Sequence, residues 1–308
     1  MTPPIQYRLG FNQPLGSPTQ KRIALMAQAI NREAEGVFRL DVYPEALLGL
    51  DPQMFADMRA GRLEFTLSGA LFDDLAPASA LSLMPYGFQT AKAVLAALDG
   101  ALGGRIRGEL ARHGIHALPR VWANGFHHLT TTARPLREAG DFSGLKIRTP
   151  GGAIAADFFA SLGALPGMVP FNRMHDALKE GAFEGQSDPL GVVLSLRLYE
   201  VQRFLSLSGH WWSGFTLLAN AEAWNALPPA IREIVERNAE EQALLQRVDV
   251  EALNERGTGE LERRGMVLSA LDGEDVHARL GDFYLRWKEK AGPEAWRLLE
   301  TYADGLRG

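Results

Sequence analysis

The chain has 308 residues, longer than one typical domain of roughly 100–200 residues, so two lobes or one large α/β unit are expected. Hydrophobic residues make up 46% and charged residues 22% of the sequence, which argues against a disordered or membrane-embedded chain. A net charge of -5, without any Lys/Arg-rich run, argues against a nucleic-acid partner. The sequence has no cysteine, which excludes disulfides, cysteine-ligated zinc and cysteine nucleophiles.

The amino terminus does not resemble a secretory signal. It begins MTPPIQ, without the basic start and the apolar run that such signals have. Either the protein is cytoplasmic or a signal has been removed from it. No stretch approaches the roughly 20 apolar residues needed to cross a bilayer, so a membrane-spanning chain is not expected.

The first part of the chain alternates predicted strands with predicted helices. Asp51 and Pro52 fit the N-cap and the first position of one of these helices. A strand-helix-strand-helix-strand order implies a largely parallel sheet with crossover helices. Strands are predicted at residues 6–11, 38–43, 63–67 and 115–122, and helices around residues 23–30, 51–61 and 90–112.

The same pattern restarts after a boundary near residues 124–125, so two similar α/β units lie in tandem. Pro228 and Pro229 begin a long segment in which apolar residues recur at helical spacing. Strands are predicted at residues 145–149, 165–170, 204–207 and 215–219, and shorter helices at residues 153–162 and 173–180.

Arg148 is the residue best placed to bind a ligand. It ends the predicted strand of the segment GLKIRTPGG, residues 144–152, and a Gly-Gly turn and a helix follow it. Ligands of open α/β sheets bind beyond the carboxyl ends of strands, and a helix N-terminus there favours an anion. The planar guanidinium pairs with both oxygens of a carboxylate. By spacing alone, a surface ion pair is the more common role for such an arginine.

Several distinctive segments follow one another along the chain. They are NGFHHLT at residues 124–130, GLKIR at 144–148, EGQSDPL at 184–190 and LYEVQRFLSLSGH at 198–210, with VYP at 42–44, LLG at 47–49 and WNALP at 224–228. In this order they resemble the signature segments of the TRAP-transporter solute-binding proteins of the DctP type, and the resemblance covers nearly the whole chain. Together they favour a ligand-binding role for Arg148 over a surface ion pair.

The resemblance implies a two-lobed, periplasmic-binding-protein-like α/β fold. Each lobe would be a mostly parallel sheet flanked by helices, and hinge strands and a long helix would join the lobes. We place residues 1–124 and about 213–252 in lobe I, and residues 125–212 and about 253–308, with the C-terminal helices, in lobe II.

The implied function is that of a periplasmic receptor whose signal peptide has been removed. It would bind a small organic monocarboxylate, such as a hydroxy acid, sugar acid or amino-acid-like compound, between the lobes. It would deliver that ligand, as a monomer, to the membrane permease subunits of an ion-gradient-driven TRAP transporter. The alternative is a receptor of the same fold that signals to a membrane kinase.

The resemblance also implies which residues bind the ligand. Arg148 matches the family arginine that holds the ligand carboxylate, and Phe171 matches a phenylalanine that lines the cleft. Asp188 stands where the family usually has asparagine, and His127 stands where it usually has arginine. The predicted ligand-binding residues are Arg148, Asp188, His127, Phe171, Asn12, Gln186 and Trp211.

The two departures limit the choice of ligand. An ionised Asp188 only accepts hydrogen bonds, so we hypothesise that it meets an ammonium, several hydroxyls or a protein cation. The open alternative is that Asp188 pairs with Arg148 or His127 before the ligand arrives. With histidine at position 127, a dianionic ligand is less favoured and binding is expected to vary with pH. Trp211 and Trp212 are adjacent on a strand, so at most one of them should face the ligand.

Enzyme signatures are missing from the sequence. It contains no G-x-S-x-G, P-loop or G-x-G-x-x-G pattern, and His113 and His116 lack the glutamate of a zinc-protease helix. The segment GGRIRG, residues 103–108, is interpreted as a helix interruption rather than a phosphate-binding loop. We therefore expect no catalysis, no cofactor and no metal, although unpatterned Ser, His and Asp leave a hydrolase open.

Overall fold

A computed structural model describes residues 4–69, 72–303 and 306. Its strands are β1 (Ile5–Gly10), β2 (Phe38–Tyr43), β3 (Phe65–Ser68), β4 (Ile115–Thr131), β5 (Lys146–Arg148), β6 (Leu165–Gly167), β7 (Gly185–Pro189), β8 (Phe204–Leu207), β9 (Trp212–Asn220) and β10 (Val267–Ala270). Its α-helices are α1 (Pro18–Glu33), α2 (Asp51–Arg59), α3 (Ala91–Asp99), α4 (Ala101–Ala111), α5 (Ala153–Ser161), α6 (Met174–Lys179), α7 (Leu190–Ser195), α8 (Ala221–Ala226), α9 (Pro229–Arg263), α10 (Gly273–Arg279), α11 (Phe283–Ala291) and α12 (Pro293–Tyr302).

The first half of the molecule is a sheet in the order β2-β1-β3-β9-β4. Strands β1, β2 and β3 are parallel, as their crossover helices require, and β9 is antiparallel to both of its neighbours. Helix α1 buries one face against this sheet, because Ile23, Met26 and Ile30 recur at helical spacing and all are fully buried. Ser17 caps that helix by accepting a hydrogen bond from the N–H of Gln20.

The second half is a sheet in which β5, β6 and β7 are parallel, β8 pairs in parallel with β10, and β4 joins the two sets. Strand β4 is therefore shared by both halves. The sequence predicted that it would end at residue 122, but it continues to Thr131. Register shifts near Ala117 and Ala123 absorb Pro119 and Gly125, so the strand continues through both residues. The two-lobed α/β fold class is confirmed.

Helix α9 spans both halves, and its side chains form hydrogen bonds with the backbone of the shared strand β4. The side chain of Gln246 donates to the carbonyl of Ala123 at 2.7 Å and accepts from its N–H at 2.8 Å. Asn254, two turns further on, donates to the carbonyl of Asn124. These side chains satisfy backbone groups that the register shift leaves unpaired within the sheet. Among the described residues, no helix is both long and apolar enough to cross a membrane.

The C-terminal helices pack against both halves. Helix α11 contacts α5 of the second half, whereas α12 contacts α3 and α4 of the first half, with Trp296 and Leu299 in the shared core. The prediction assigned residues 253–308 to lobe II and did not anticipate these contacts with the first half. The lobe boundaries otherwise stay a prediction.

The helix predicted at residues 90–112 is two helices, with the break at Gly100. The glycines of residues 103–108 lie inside the continuous helix α4, so the predicted interruption was placed three residues too late. Gly103 is required for packing rather than for a turn. A Cβ at Gly103 would lie 1.6 Å from the carbonyl oxygen of Leu98, so only glycine lets α4 approach the end of α3 this closely.

Replacing Gly103 with alanine is therefore expected to lower the free energy of unfolding by about 1–3 kcal/mol, because the backbone must move to accept the new methyl group. Gly108 in the same helix is the matched control, since a Cβ there meets nothing within 4 Å. Gly108→Ala should be neutral or stabilising by up to about 1 kcal/mol, since alanine has the higher helix propensity. Urea denaturation of both variants measures the difference, and equal stability would contradict the packing role of Gly103.

Candidate functional site

A cavity of about 150 Å³ lies between the two halves, beyond the ends of β1, β5 and β7. Five of the seven predicted ligand-binding residues line it, and Gln186 and Trp211 do not. The predicted residues that line the cavity are Asn12, His127, Arg148, Phe171 and Asp188. Other lining residues near them are Gln13, Asp51, Asn124, Pro150, Gly151, Trp212, Ser213 and Thr216.

Arg148 is the last residue of β5 and is 5% exposed. Its Nη1 donates to Oδ2 of Asp188 at 2.7 Å, and Asp188 is its only hydrogen-bond partner in the described part of the chain. In the parallel pairing of β5 with β7, Arg148 lies opposite Gln186. Asp188 lies two residues further along β7, which is one repeat of a strand. The Nε of Arg148 is buried and has no hydrogen-bond partner among the residues that the structure describes. The arginine therefore keeps donors for a ligand.

The buried pair bears on an alternative that the sequence left open, because Asp188 contacts a protein cation, Arg148. Burial raises the pKa of Asp188 to about 6, and the charge of Arg148 opposes that rise. Removing a carboxylate from water costs several kcal/mol, and one guanidinium contact offsets only part of it. The contact with Arg148 thus holds the Asp188 carboxylate at the edge of the cavity, but it compensates the negative charge of that carboxylate only in part.

A second carboxylate, Asp51, also lines the cavity and was missed as a ligand-facing residue. The sequence indicated an N-cap, but Leu50 is the N-cap and Asp51 is the first residue of α2. The side-chain amide of Asn12 donates a hydrogen bond of 2.7 Å to Oδ2 of Asp51. The side-chain oxygen of Asn12 in turn accepts a hydrogen bond from the side chain of Gln13. Burial raises the pKa of Asp51, while Asn12 and the charge of Arg148 act in the opposite direction.

His127 is 1% exposed and belongs to a chain of hydrogen bonds that runs away from the cavity. Its Nε2 lies 2.8 Å from the hydroxyl of Ser213, and its Nδ1 lies 3.0 Å from that of Ser187. Ser187 contacts His210, and His210 contacts Ser208 at 2.7 Å. Burial, and then the nearby charge of Arg148, hold the pKa of His127 well below its usual value. His127 is therefore neutral and adds no second cation to the site.

Trp211 and Gln186 were also predicted to bind the ligand, but neither is among the residues that line the cavity. Trp211 points away from the cavity and packs edge-to-face on Phe158, with ring centroids 5.1 Å apart. Its neighbour Trp212 lines the cavity instead, as the alternation of side chains along a strand requires. Gln186 is fully buried in the sheet and donates to the hydroxyl of Thr130.

Within residues 4–69, 72–303 and 306, no group of three or more His, Asp or Glu side chains could hold a metal ion. A cavity between two α/β halves, with one buried guanidinium and polar groups around it, defines a two-lobed solute-binding protein.

Comparison with known proteins places this class in a family. The sequence profile of the bacterial extracellular solute-binding proteins of family 7, named DctP, matches residues 9–290. The chain belongs to this family, which confirms the resemblance found in the sequence motifs. Among its relatives, the C4-dicarboxylate-binding protein DctB of Bacillus subtilis is 25% identical over 302 residues, covering 96% of this chain and 86% of that protein.

Other relatives are named for sugar acids. The 2,3-diketo-L-gulonate-binding periplasmic protein YiaO of Escherichia coli is 29% identical over 219 residues, which are 71% of this chain and 66% of that protein. The sugar acid binding protein DctPAm of Advenella mimigardefordensis, solved in complex with galactonate, has a TM-score of 0.92 at 25% identity and covers 98% of this chain and 99% of its own.

Proposed function

We propose that the protein is the extracytoplasmic solute receptor of a TRAP transporter and that it binds a small organic monocarboxylate through Arg148. The observation that carries this proposal is the buried guanidinium, which lines the cavity and has one hydrogen-bond partner among the described residues. Charge-assisted hydrogen bonds to a carboxylate contribute about 1.5–3 kcal/mol each. The compounds named for the relatives above are also carboxylic acids.

One carboxylate fits the charges of the site better than two. His127 replaces the arginine usual in the family and is neutral, and both Asp51 and Asp188 face the cavity. A second ligand carboxylate would meet no protein cation in this part of the site. Because burying an unpaired charge is costly, a dicarboxylate should bind more weakly than the matching monocarboxylate.

The remaining affinity comes from the rest of the cavity. A micromolar ligand needs about -8.2 kcal/mol, which is more than one arginine contributes. Phe171 and Trp212 supply apolar walls, while Asn12, Asn124 and Ser213 supply hydrogen-bonding groups. We propose that closure of the two halves brings these groups onto the ligand, as in other two-lobed binding proteins.

The receptor would act outside the cytoplasm, as a monomer, and pass its ligand to the membrane permease subunits of the transporter. Family membership supports an extracellular binding role rather than catalysis. No feature of the described structure favours the alternative of signalling to a membrane kinase.

A thermal-shift screen tests the proposed function. Purified protein is melted with hydroxy acids, sugar acids, amino acids and dicarboxylates, with matched uncharged amides as controls. A carboxylate at 100 times its dissociation constant should add about 2.7 kcal/mol of stability, whereas its amide should add far less. If no carboxylate raises the melting temperature more than its amide does, the proposed function is wrong.

A further inference from the structure

The charges in the part of the cavity around Arg148 do not balance. Among the described lining residues, the ionisable side chains are Asp51, Arg107, His127, Arg148 and Asp188. Arg107 lies in α4 of the first half and donates to the backbone carbonyls of Leu98 and Pro119. The charges that act on Arg107 are those of Asp99 and Arg120, whereas the charge of Arg148 acts on Asp51 and Asp188. The part of the cavity around Arg148 therefore holds two carboxylates and one guanidinium, because His127 is neutral.

Both carboxylates keep a free oxygen. Asp188 is 4% exposed and uses only Oδ2, in its contact with Arg148, so its Oδ1 accepts no hydrogen bond from any described residue. Asp51 likewise uses only Oδ2, in its contact with Asn12. The side chain of Gln13 donates to the side-chain oxygen of Asn12 and thereby orients the side-chain NH₂ group of Asn12 toward Asp51. These contacts hold both carboxylates in place, and the Oδ1 of each remains able to accept a hydrogen bond.

A simple carboxylic acid would make the imbalance worse. With its carboxylate on Arg148, this part of the cavity would hold up to three anions and one cation, and burial makes each unpaired charge expensive. A ligand that also carries an ammonium would add one cation and up to three hydrogen-bond donors. Those donors match the free oxygens of Asp51 and Asp188, whereas a hydroxyl brings one donor and no charge.

We propose that the cavity binds an amino-acid-like zwitterion, whose carboxylate pairs with Arg148 and whose ammonium is recognised by Asp51 and Asp188. This inference rests on the proposed function, because it assumes that Arg148 holds a carboxylate. It adds Asp51 as a residue that determines specificity. It also distinguishes this chain from the relatives that are named for sugar acids or dicarboxylates.

Isothermal titration with matched pairs of ligands tests the inference. The pairs are L-alanine with L-lactate, L-serine with L-glycerate, and L-threonine with 2,3-dihydroxybutanoate, and D-gluconate represents the sugar acids. We expect at least one amino acid to bind at least tenfold more tightly than its hydroxy acid partner and than gluconate. If the hydroxy acids or gluconate bind as tightly as the amino acids, the zwitterion inference is wrong while carboxylate binding stands. If no carboxylate binds, the proposed function itself fails.

Two variants locate the ammonium site. Asp51→Asn should weaken binding of the preferred amino acid at least tenfold, but should leave binding of the matched hydroxy acid unchanged or improved. Asp57→Asn is the control, since Asp57 lies on the same helix but outside the cavity and pairs with Arg62. Equal losses for both ligand types in Asp51→Asn would overturn the role of Asp51, and circular dichroism melting curves verify that each variant is folded.

Discussion

Replacing Arg148 with methionine will eliminate measurable carboxylate binding and lower the free energy of unfolding by about 3–5 kcal/mol. The loss of binding follows from removing the one guanidinium that lines this part of the cavity among the described residues. The loss of stability follows because Asp188, only 4% exposed, is left without its partner. Calorimetric titration with the best acid from the thermal-shift screen, together with urea denaturation, measures both effects.

A second replacement separates the two effects. In Arg148→Met/Asp188→Asn the buried carboxylate is also gone, so part of the lost stability should return while binding stays absent. Arg148→Lys keeps the charge but loses the planar fork, and should bind the acid about tenfold or more weakly.

Lys146→Met is the matched control for these variants, because Lys146 is exposed on the same strand and does not line the cavity. It should change stability by less than about 0.5 kcal/mol and leave binding intact. Undiminished affinity in Arg148→Met would show that another residue holds the ligand.

Acidification from pH 7.5 to pH 5 is expected to lower the free energy of unfolding by several kcal/mol. Burial lowers the pKa of His116, His127, His128 and His210, for His128 to about 4. In the unfolded chain, histidines titrate near 6.5, so below that pH the unfolded state binds more protons than the folded state. Stability is therefore lost as the pH falls below about 6.5, by about 2 kcal/mol at pH 5 for each fully buried histidine.

The cavity carboxylates act in the opposite direction. Their folded pKa values are raised, that of Asp188 to about 6, so in this range the folded state binds more protons than the unfolded state. Protonation of Asp188 as the pH falls from 7.5 to 5 should return only about 1–2 kcal/mol. The histidines outweigh this gain, so we expect a net loss of stability.

His128→Asn provides the test of this pH dependence. The Nδ1 of His128 accepts hydrogen bonds from the backbone N–H groups of Ser208 and Gly209, and an asparagine oxygen can take over that role without titrating. The change in stability between pH 7.5 and pH 5 should shrink by about 1–2 kcal/mol. His113→Asn, at an exposed position, should leave the pH dependence unchanged. Identical pH profiles for wild type and His128→Asn would contradict the assignment.

Local sequence patterns predicted most of the elements but not where all of them end. The strand at residues 38–43 and the helix that begins at Ala153 were placed correctly, because alternation and glycine boundaries are local signals. Strand β10 was missed, because only pairing with β8 turns its short segment into a strand.

The same division holds for the site. Five of the predicted ligand-binding residues line the cavity: Arg148, Asp188, His127, Phe171 and Asn12. Motifs record which residue occupies a family position, but not which side of a strand it faces once two sheets share β4. That orientation depends on the register of the strands, and a shift of one residue exchanges the two faces. For this reason Trp212, rather than Trp211, reaches the cavity.

Periodicity and ordered motifs along one chain were enough to give the two-lobed α/β class and the family, and to predict Arg148 as the residue that holds a carboxylate. The balance of charge in the cavity became visible only with the packing of the chain. It brings Asp51, from the start of α2, to the same cavity as Arg148 and Asp188 from the other half. It also buries His127, so that histidine contributes no cation. Charge interactions depend on distance and burial, and both are set by packing between segments that lie far apart in the sequence.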